Sequence, residues 1–207
     1  MGTMSPMNRF TSALVVTAAV ALGTALAPHA AAAPAPVPDG KCAISKTDRN
    51  RTIDSLMNHC TSQQILDLFG SAPLGVLPTG RQPLALLPVM HAGGGKLAPY
   101  SQARWFTRTQ SNLGDALTFT KGPQGQPWVY KEYIFGRDLG AAIKLGTSAW
   151  DGKPAWTADF SADFLGVPIS IHEYRQLTSN VWIARDTSAE RGTRTAAKNA
   201  GGAMAIG

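Results

Sequence analysis

From residue 80 onward the chain is cut into short apolar runs by glycine, proline, asparagine and aspartate, and that punctuation commits most of it to an antiparallel sheet. The runs cover residues 84–90, 103–108, 117–121, 128–135, 141–148, 155–160, 167–175, 181–185 and, more weakly, 203–206. Many short strands joined by short turns predict a meander that closes into a barrel or sandwich. The sharpest turn signal is Asp151-Gly152, because tight hairpins demand positive φ. Gly93-Gly94-Gly95 reads as a loop or bulge.

Two short helices precede the sheet. Ile53, Leu56, Met57 and Cys60 fall at i, i+3, i+4 and i+7, one face of a helix. Thr61 and Gln64 have the capping-box spacing for a second helix, with Ile65, Leu66 and Phe69 on its apolar side and Gly70 placed to end it. Cys42 and Cys60 are the only cysteines, and their wide spacing predicts a structural disulfide rather than a redox or metal pair. Closing such a loop stabilises a fold by about 3 kcal/mol. The expected class is α+β: two short N-terminal helices packed on an antiparallel, barrel-like β-sheet.

The first 32 residues read as a signal peptide. Arg9 supplies the positive charge, an uncharged Ala/Val/Leu-rich stretch runs from Ala13 to Ala27, and small residues lead to a cut near Ala32, ahead of Pro34. The apolar stretch is short for a membrane span, which needs about 20 residues. Residues 33–40 form a flexible Ala/Pro lead-in, 41–79 the helical pair with its disulfide, and 80–207 the barrel. The last fifteen residues form either a final strand or a frayed tail. The expected location is therefore secreted and extracellular, and about 175 residues remain, enough for one core. The formal charge of +6 falls by one with Arg9, and the basic residues are scattered. That excludes the dense basic footprint of a nucleic-acid binder.

Several motifs carry a resemblance across residues 105–185. Pro73-Leu74-Gly75 follows the second helix; Gly146-Thr147-Ser148, Asp151-Gly152-Lys153-Pro154, Asp159-Phe160 and the run from Val181 to Arg185 come later. With these the chain resembles a group of secreted bacterial proteins of unassigned function. More distantly it is similar to lipocalin-like (calycin-type) barrels. The resemblance implies a barrel that holds an apolar small molecule and supplies no catalytic residues. The chain departs from the group's Trp-x-Gly-Lys segment at Trp105-Phe106-Thr107-Arg108.

Standard catalytic patterns are missing. There is no Gly-x-Ser-x-Gly elbow, no His-Glu-x-x-His helix and no calcium loop, and Met90 stands where a phosphate loop's first glycine belongs. His59, His91 and His172 are far apart in sequence, so neither a metal nor a cofactor is expected. Side chains alternate across strands. Val167, Ile169, Ile171 and Glu173 therefore share a face, as do Trp128, Tyr130, Glu132 and Ile134, and Val181, Ile183 and Arg185. If the apolar members point inward, Glu132 and Glu173 are acid/base candidates inside the barrel. Arg185 is then a counter-charge, and a Glu173–Arg185 ion pair could close one end. His172 has the opposite parity and is expected to face solvent. Trp128, Tyr130, Trp150 and Arg185 are the candidate ligand-binding residues, with Trp150 at a rim.

Three functions remain open at this point. The first is a carrier of a lipophilic or aromatic small molecule in a barrel cavity. The second is an isomerase, cyclase or hydrolase that uses one of the glutamates. The third is an envelope or inhibitor-type interaction protein without an internal site. The sequence does not specify an oligomeric state.

Overall fold

Local capping chemistry starts the first two helices. Helix α1 (Arg49–Asn58) begins where the Asp48 carboxylate accepts the Arg51 N–H. Helix α2 (Ser62–Ser71) begins at a complete capping box: Thr61 Oγ1 accepts the Gln64 N–H, and Gln64 Oε1 accepts the Thr61 N–H. The Cys42–Cys60 disulfide ties the lead-in to the junction between them. Gly70 does not end α2. It sits inside the last turn, where a side chain would lie 3.6 Å from Asp151 and Trp150, so the position serves packing.

The computed structural model describes residues 38–92, 95–111, 114–160, 170–188 and 196–207. The expected signal peptide and its expected cut near Ala32 lie outside these residues, as do Gly93, Gly94, Val167 and Ile169. The strands are β1 (Gly80–Met90), β2 (Gly114–Lys121), β3 (Pro127–Tyr133), β4 (Gly136–Arg137) and β5 (Ala141–Thr147). They continue with β6 (Pro154–Asp159), β7 (Ile171–Gln176), β8 (Trp182–Thr187) and β9 (Gly202–Ile206). Apart from the two-residue β4, each strand pairs antiparallel with its neighbours in sequence. The last strand then pairs with the first, Leu84 opposite Ile206. The meander thus closes into an eight-stranded antiparallel barrel, compatible with a lipocalin-like layout. The C-terminal segment is a full barrel strand rather than a frayed tail.

Residues 103–108, expected as a strand, belong instead to helix α3 (Tyr100–Gln110), which starts after Pro99. Ala103, Arg104 and Thr107 form its buried face, a helical spacing that a six-residue window conceals. Arg104 donates to Asn58 Oδ1, and the Tyr100 hydroxyl donates to the Met57 carbonyl. Both bonds anchor α3 to the end of α1.

Two cores result. Inside the barrel, Leu117, Phe119, Val129, Tyr174, Ala184 and Met204 pack together. Outside it, Leu56, Ile65, Leu66 and Phe69 of α1 and α2 cover Leu87, Val181, Ile183 and Ala205. Each fully buried apolar side chain of this size is worth about 1.5–3 kcal/mol. The helices therefore bury the outer face of β1, β8 and β9 as thoroughly as the barrel buries the inner one.

The ends of the barrel differ. At one end the segment after α2 crosses the opening: the Trp156 and Trp182 indoles donate to the carbonyls of Gly75 and Val76. Gln176 completes the join, since its N–H donates to the Pro73 carbonyl and its Oε1 accepts the Val76 N–H. Gly75 has φ of +60°, and a side chain there would collide with Gln176. At the other end α3 lies beside the opening.

Candidate functional site

Because α2 and its neighbours bury the outside of the barrel, an apolar face no longer marks the inside. That reverses the facing expected for three strands. Val181, Ile183 and Arg185 point outward, under the helices, while Trp182, Ala184 and Asp186 point inward. On β7 the inward residues are His172 and Tyr174, and Glu173 and Arg175 point out. On β3 the inward residues are Val129, Lys131 and Tyr133, so Trp128, Tyr130 and Glu132 lie on the outer face. His172 is not solvent-facing: it is 2% exposed.

The interior at the α3 end is polar. The Lys131 ammonium donates to Ser170 Oγ over 3.0 Å and stands 3.9 Å from the Phe160 ring centre. Ser170 Oγ donates to Asp186 Oδ1 over 3.0 Å. His172 lies opposite Asp186 in register, with Nε2 3.5 Å from the same oxygen, and its Nδ1 is 2.8 Å from the Tyr174 hydroxyl. An edge-on contact with Phe119 braces the Tyr174 ring. The carboxylate of Asp186 disfavours an imidazole lone pair facing it. The consistent assignment has Tyr174 donating to Nδ1 and the proton on Nε2, aimed at Asp186. At 3.5 Å that contact falls short of hydrogen-bond geometry, and Nε2 has no hydrogen-bond partner among the described residues.

Burial lowers the His172 pKa and keeps the ring neutral, against the pull of Asp186. Burial also raises the Tyr174 hydroxyl well above its ordinary value, with Asp186 and Asp138 adding in the same direction. For Asp186 burial acts upward, but His172, Lys131 and Ser170 outweigh it and hold the carboxyl below the usual range. Its side chain is 44% exposed, so water reaches it.

Two recesses open beside this cluster. One, of about 190 Å³, is lined by Leu84, Leu117, Lys131, Glu132, Tyr133, His172 and Met204 among others. The other, of about 320 Å³, is lined by Met90, His91, Phe106, Ser188 and Gly201. Leu86, Gln110 and Asp186 line both, so the two meet at Asp186 beside α3. Together they present largely apolar walls with the Asp186 and Glu132 residues, the Lys131 ammonium and the imidazoles of His91 and His172. Among the described residues no three His, Cys, Asp or Glu side chains are grouped to hold a metal ion.

The residues singled out from sequence fall into separate places. Glu132 accepts a bond from Thr118 Oγ1 on the outer face of β3. Glu173 is buried beneath the β5–β6 loop, accepting bonds from Ser148 Oγ and the Ala149 N–H. The two glutamates do not share a compartment: Glu132 borders the smaller recess from the rim of β3, and Glu173 lies under the β5–β6 loop. Trp128 and Tyr130 are neighbours on the outer surface, with the Arg137 guanidinium 4.3 Å from the Tyr130 ring centre. Trp128 also borders a groove of about 380 Å³ with Leu77, Phe119 and Ile143, near the closed end.

Trp150 and Arg185 do meet, 5.1 Å from guanidinium carbon to ring centre, but in the outer core rather than at the rim of a lumen. Arg185 stands opposite Glu173 in register without a direct ion pair and donates instead to the carbonyls of Lys198 and Ala200. The buried ion pair is Arg175 with Asp151, which carries two bonds of 2.7 Å. Arg175 also donates to the carbonyls of Phe69, Lys153 and Pro154, pinning the hairpin to the end of α2. Hydrogen bonds from Arg175 hold the Asp151 carboxyl below its usual range. Gly152 has the expected positive φ, +72°, within a loop that joins Thr147 to Pro154.

The cluster of Lys131, Ser170, His172, Tyr174 and Asp186 went unpredicted. A signal was present in the alternation of β7, where His172 and Tyr174 share one parity and Glu173 and Arg175 the other. Long charged side chains can be buried outward when carbonyls receive them, and here they are. The site stands on its own geometry, for no family model, curated protein or solved structure matches the chain.

Proposed function

We propose that this is an exported protein, cleaved near Ala32, that holds a small lipophilic or aromatic molecule at the α3 end of its barrel. The disulfide is compatible with an oxidising compartment, and no described helix is long and apolar enough to cross a membrane. The observation that carries the reading is His172 Nε2: a buried donor without a full hydrogen bond, lining an otherwise largely apolar recess. Native interiors leave few such groups unsatisfied, and a ligand atom supplies the missing partner. The deeper interior is filled by Phe119, Tyr174, Trp182 and Met204, so the ligand seat is the mouth and not a central lumen. Asp186, where the recesses meet, selects a ligand with a hydrogen-bond donor of its own.

Fluorescence titration with 1-aminonaphthalene, compared with 1-methylnaphthalene, tests this. The amine should bind more tightly, Asp186→Asn should remove the preference, and Leu86→Trp should block both by filling the recess. Equal binding by the Leu86→Trp protein would place the ligand elsewhere. Cleavage near Ala32 is checked by the intact mass of the secreted protein.

The Tyr174–His172–Asp186 alignment favours a second reading, an enzyme at the same mouth. In it His172 and Asp186, rather than Glu132 or Glu173, move a proton. It requires chemical change in a bound molecule, detected by mass spectrometry and lost in His172→Gln.

A further inference from the structure

The exposed apolar side chains are unevenly placed. Among the described residues seven large ones are exposed, and five of them, Trp105, Phe106, Ile134, Phe135 and Leu139, sit on α3 and on the loops flanking β4. Both elements border the mouth: Gln110, the last residue of α3, lines one recess with Tyr133, and Phe106 lines the other. Phe135 stacks on Tyr133 at 5.2 Å with the rings 2° from parallel, which fixes the tip of the turn in place. Ile134 and Phe135 are 79% and 78% exposed and Trp105 69%, so most of their apolar surface is left facing water.

The charges beside these tips are of both signs, and two arginines are the more exposed among them. Helix α3 carries Arg104 and Arg108 and no acidic residue, and Arg108 is exposed. Arg137, also exposed, follows Phe135 by two positions. The acids nearby keep their charge but are partly buried and held in the fold: Asp138 accepts the backbone N–H groups of Lys131 and Gly140, Glu132 accepts Thr118, and Asp186 accepts Ser170. Aromatic and aliphatic tips with arginines beside them fit a bilayer interface: rings and Ile134 enter the acyl boundary while the guanidiniums stay at anionic headgroups.

We infer that the mouth of the barrel docks on an anionic membrane surface through Trp105, Phe106, Ile134 and Phe135, so that the ligand passes between bilayer and barrel without crossing water. This rests on the reading of the mouth as the ligand seat. The ligand class is then a membrane-partitioned amphiphile with a donor group for Asp186.

Co-sedimentation with vesicles of phosphatidylcholine alone, and of phosphatidylcholine mixed with phosphatidylglycerol, tests the inference. The protein should pellet with the mixed vesicles, more weakly as salt is raised, and Trp105 emission should shift to the blue. Ile134→Ser with Phe135→Ser should weaken binding about ten-fold or more. These side chains are in an exposed turn, so the variant folds, and its titration with 1-aminonaphthalene should be unchanged. Unchanged vesicle binding by the variant, or none by the parent, overturns the inference. A dimer that the same substitutions abolish, with no vesicle binding, also overturns it, because the tips then serve self-association. Loss of the soluble probe from the Leu86→Trp protein stands or falls separately, so a failure of docking is distinguishable from a failure of the mouth.

Discussion

At one end of the barrel, Trp156 and Trp182 turn their indole N–H groups onto the carbonyls of Gly75 and Val76, and Gln176 joins the same segment on both its acceptor and its donor side. At the other, a lysine, a serine, a histidine, a tyrosine and an aspartate are linked in one run, yet the buried Nε2 of His172 is left short of a hydrogen bond. At the closed end the Trp156 and Trp182 indoles and Gln176 are paired, while Trp128 Nε1, beside the groove there, is a buried donor without a partner among the described residues. The mouth keeps polar atoms beside open volume. On the proposed reading, stability and binding fall to opposite ends of one barrel, and substitutions at the two ends should behave differently.

The largest effect is expected at the closed end. Trp182→Ala removes an interior side chain and the bond to Val76, and should cost about 3–5 kcal/mol in chemical denaturation. A cost below about 1 kcal/mol would mean that the plug contributes little. Next comes the clamp on the outside of the barrel. Arg175→Met should cost about 2–3 kcal/mol, less than for a fully buried pair, because Asp151 keeps some contact with water.

The mouth should respond least. His172→Phe combined with Tyr174→Phe replaces both partners of one buried hydrogen bond by apolar groups of similar shape. It should change stability at neutral pH by about 1 kcal/mol or less. The informative readout there is pH. The folded-state pKa of His172 lies below its ordinary 6.5, so the unfolded chain binds the proton first on acidification. Its contribution to stability is complete above about pH 6.5 and is lost as pH falls below that value, with a slope of at most about 1.4 kcal/mol per unit. His91, lowered mainly by burial, acts in the same window and direction, so the comparison belongs in a His91→Gln background. There the double phenylalanine variant should show a flat profile where the parent declines. An equal decline in both would mean that His172 is not held neutral.

The contrast between the ends also explains what the sequence could convey. The capping box at Thr61 and Gln64, the lone cysteine pair, the positive-φ Gly152 and the run of short strands are local signals, and each appears in the fold as expected. The barrel follows from them. The facing of β3, β7 and β8 does not, because period-two alternation shows only that two faces differ. With helices over the outside, every residue from Ile171 to Arg175 is buried, and Glu173 and Arg175 have partners on loops distant in sequence. The same ambiguity hid the mouth cluster, whose members come from β3, β7, β8 and Ser170 and meet only once the barrel closes. Helix α3 was hidden for a simpler reason: its buried face is Ala103, Arg104 and Thr107, of which only the alanine is apolar.

The division between the two ends is tested most directly by nuclear magnetic resonance titration of isotope-labelled protein with 1-aminonaphthalene. The indole resonances of Trp156 and Trp182 report the closed end, the Trp128 indole reports the groove beside it, and the backbone amides of Leu86, Asp186 and Met204 report the mouth. If the mouth is the ligand seat, the three amides shift with saturation while the indoles of Trp128, Trp156 and Trp182 stay in place. Saturable shifts at those indoles, with Leu86, Asp186 and Met204 unmoved, would contradict it.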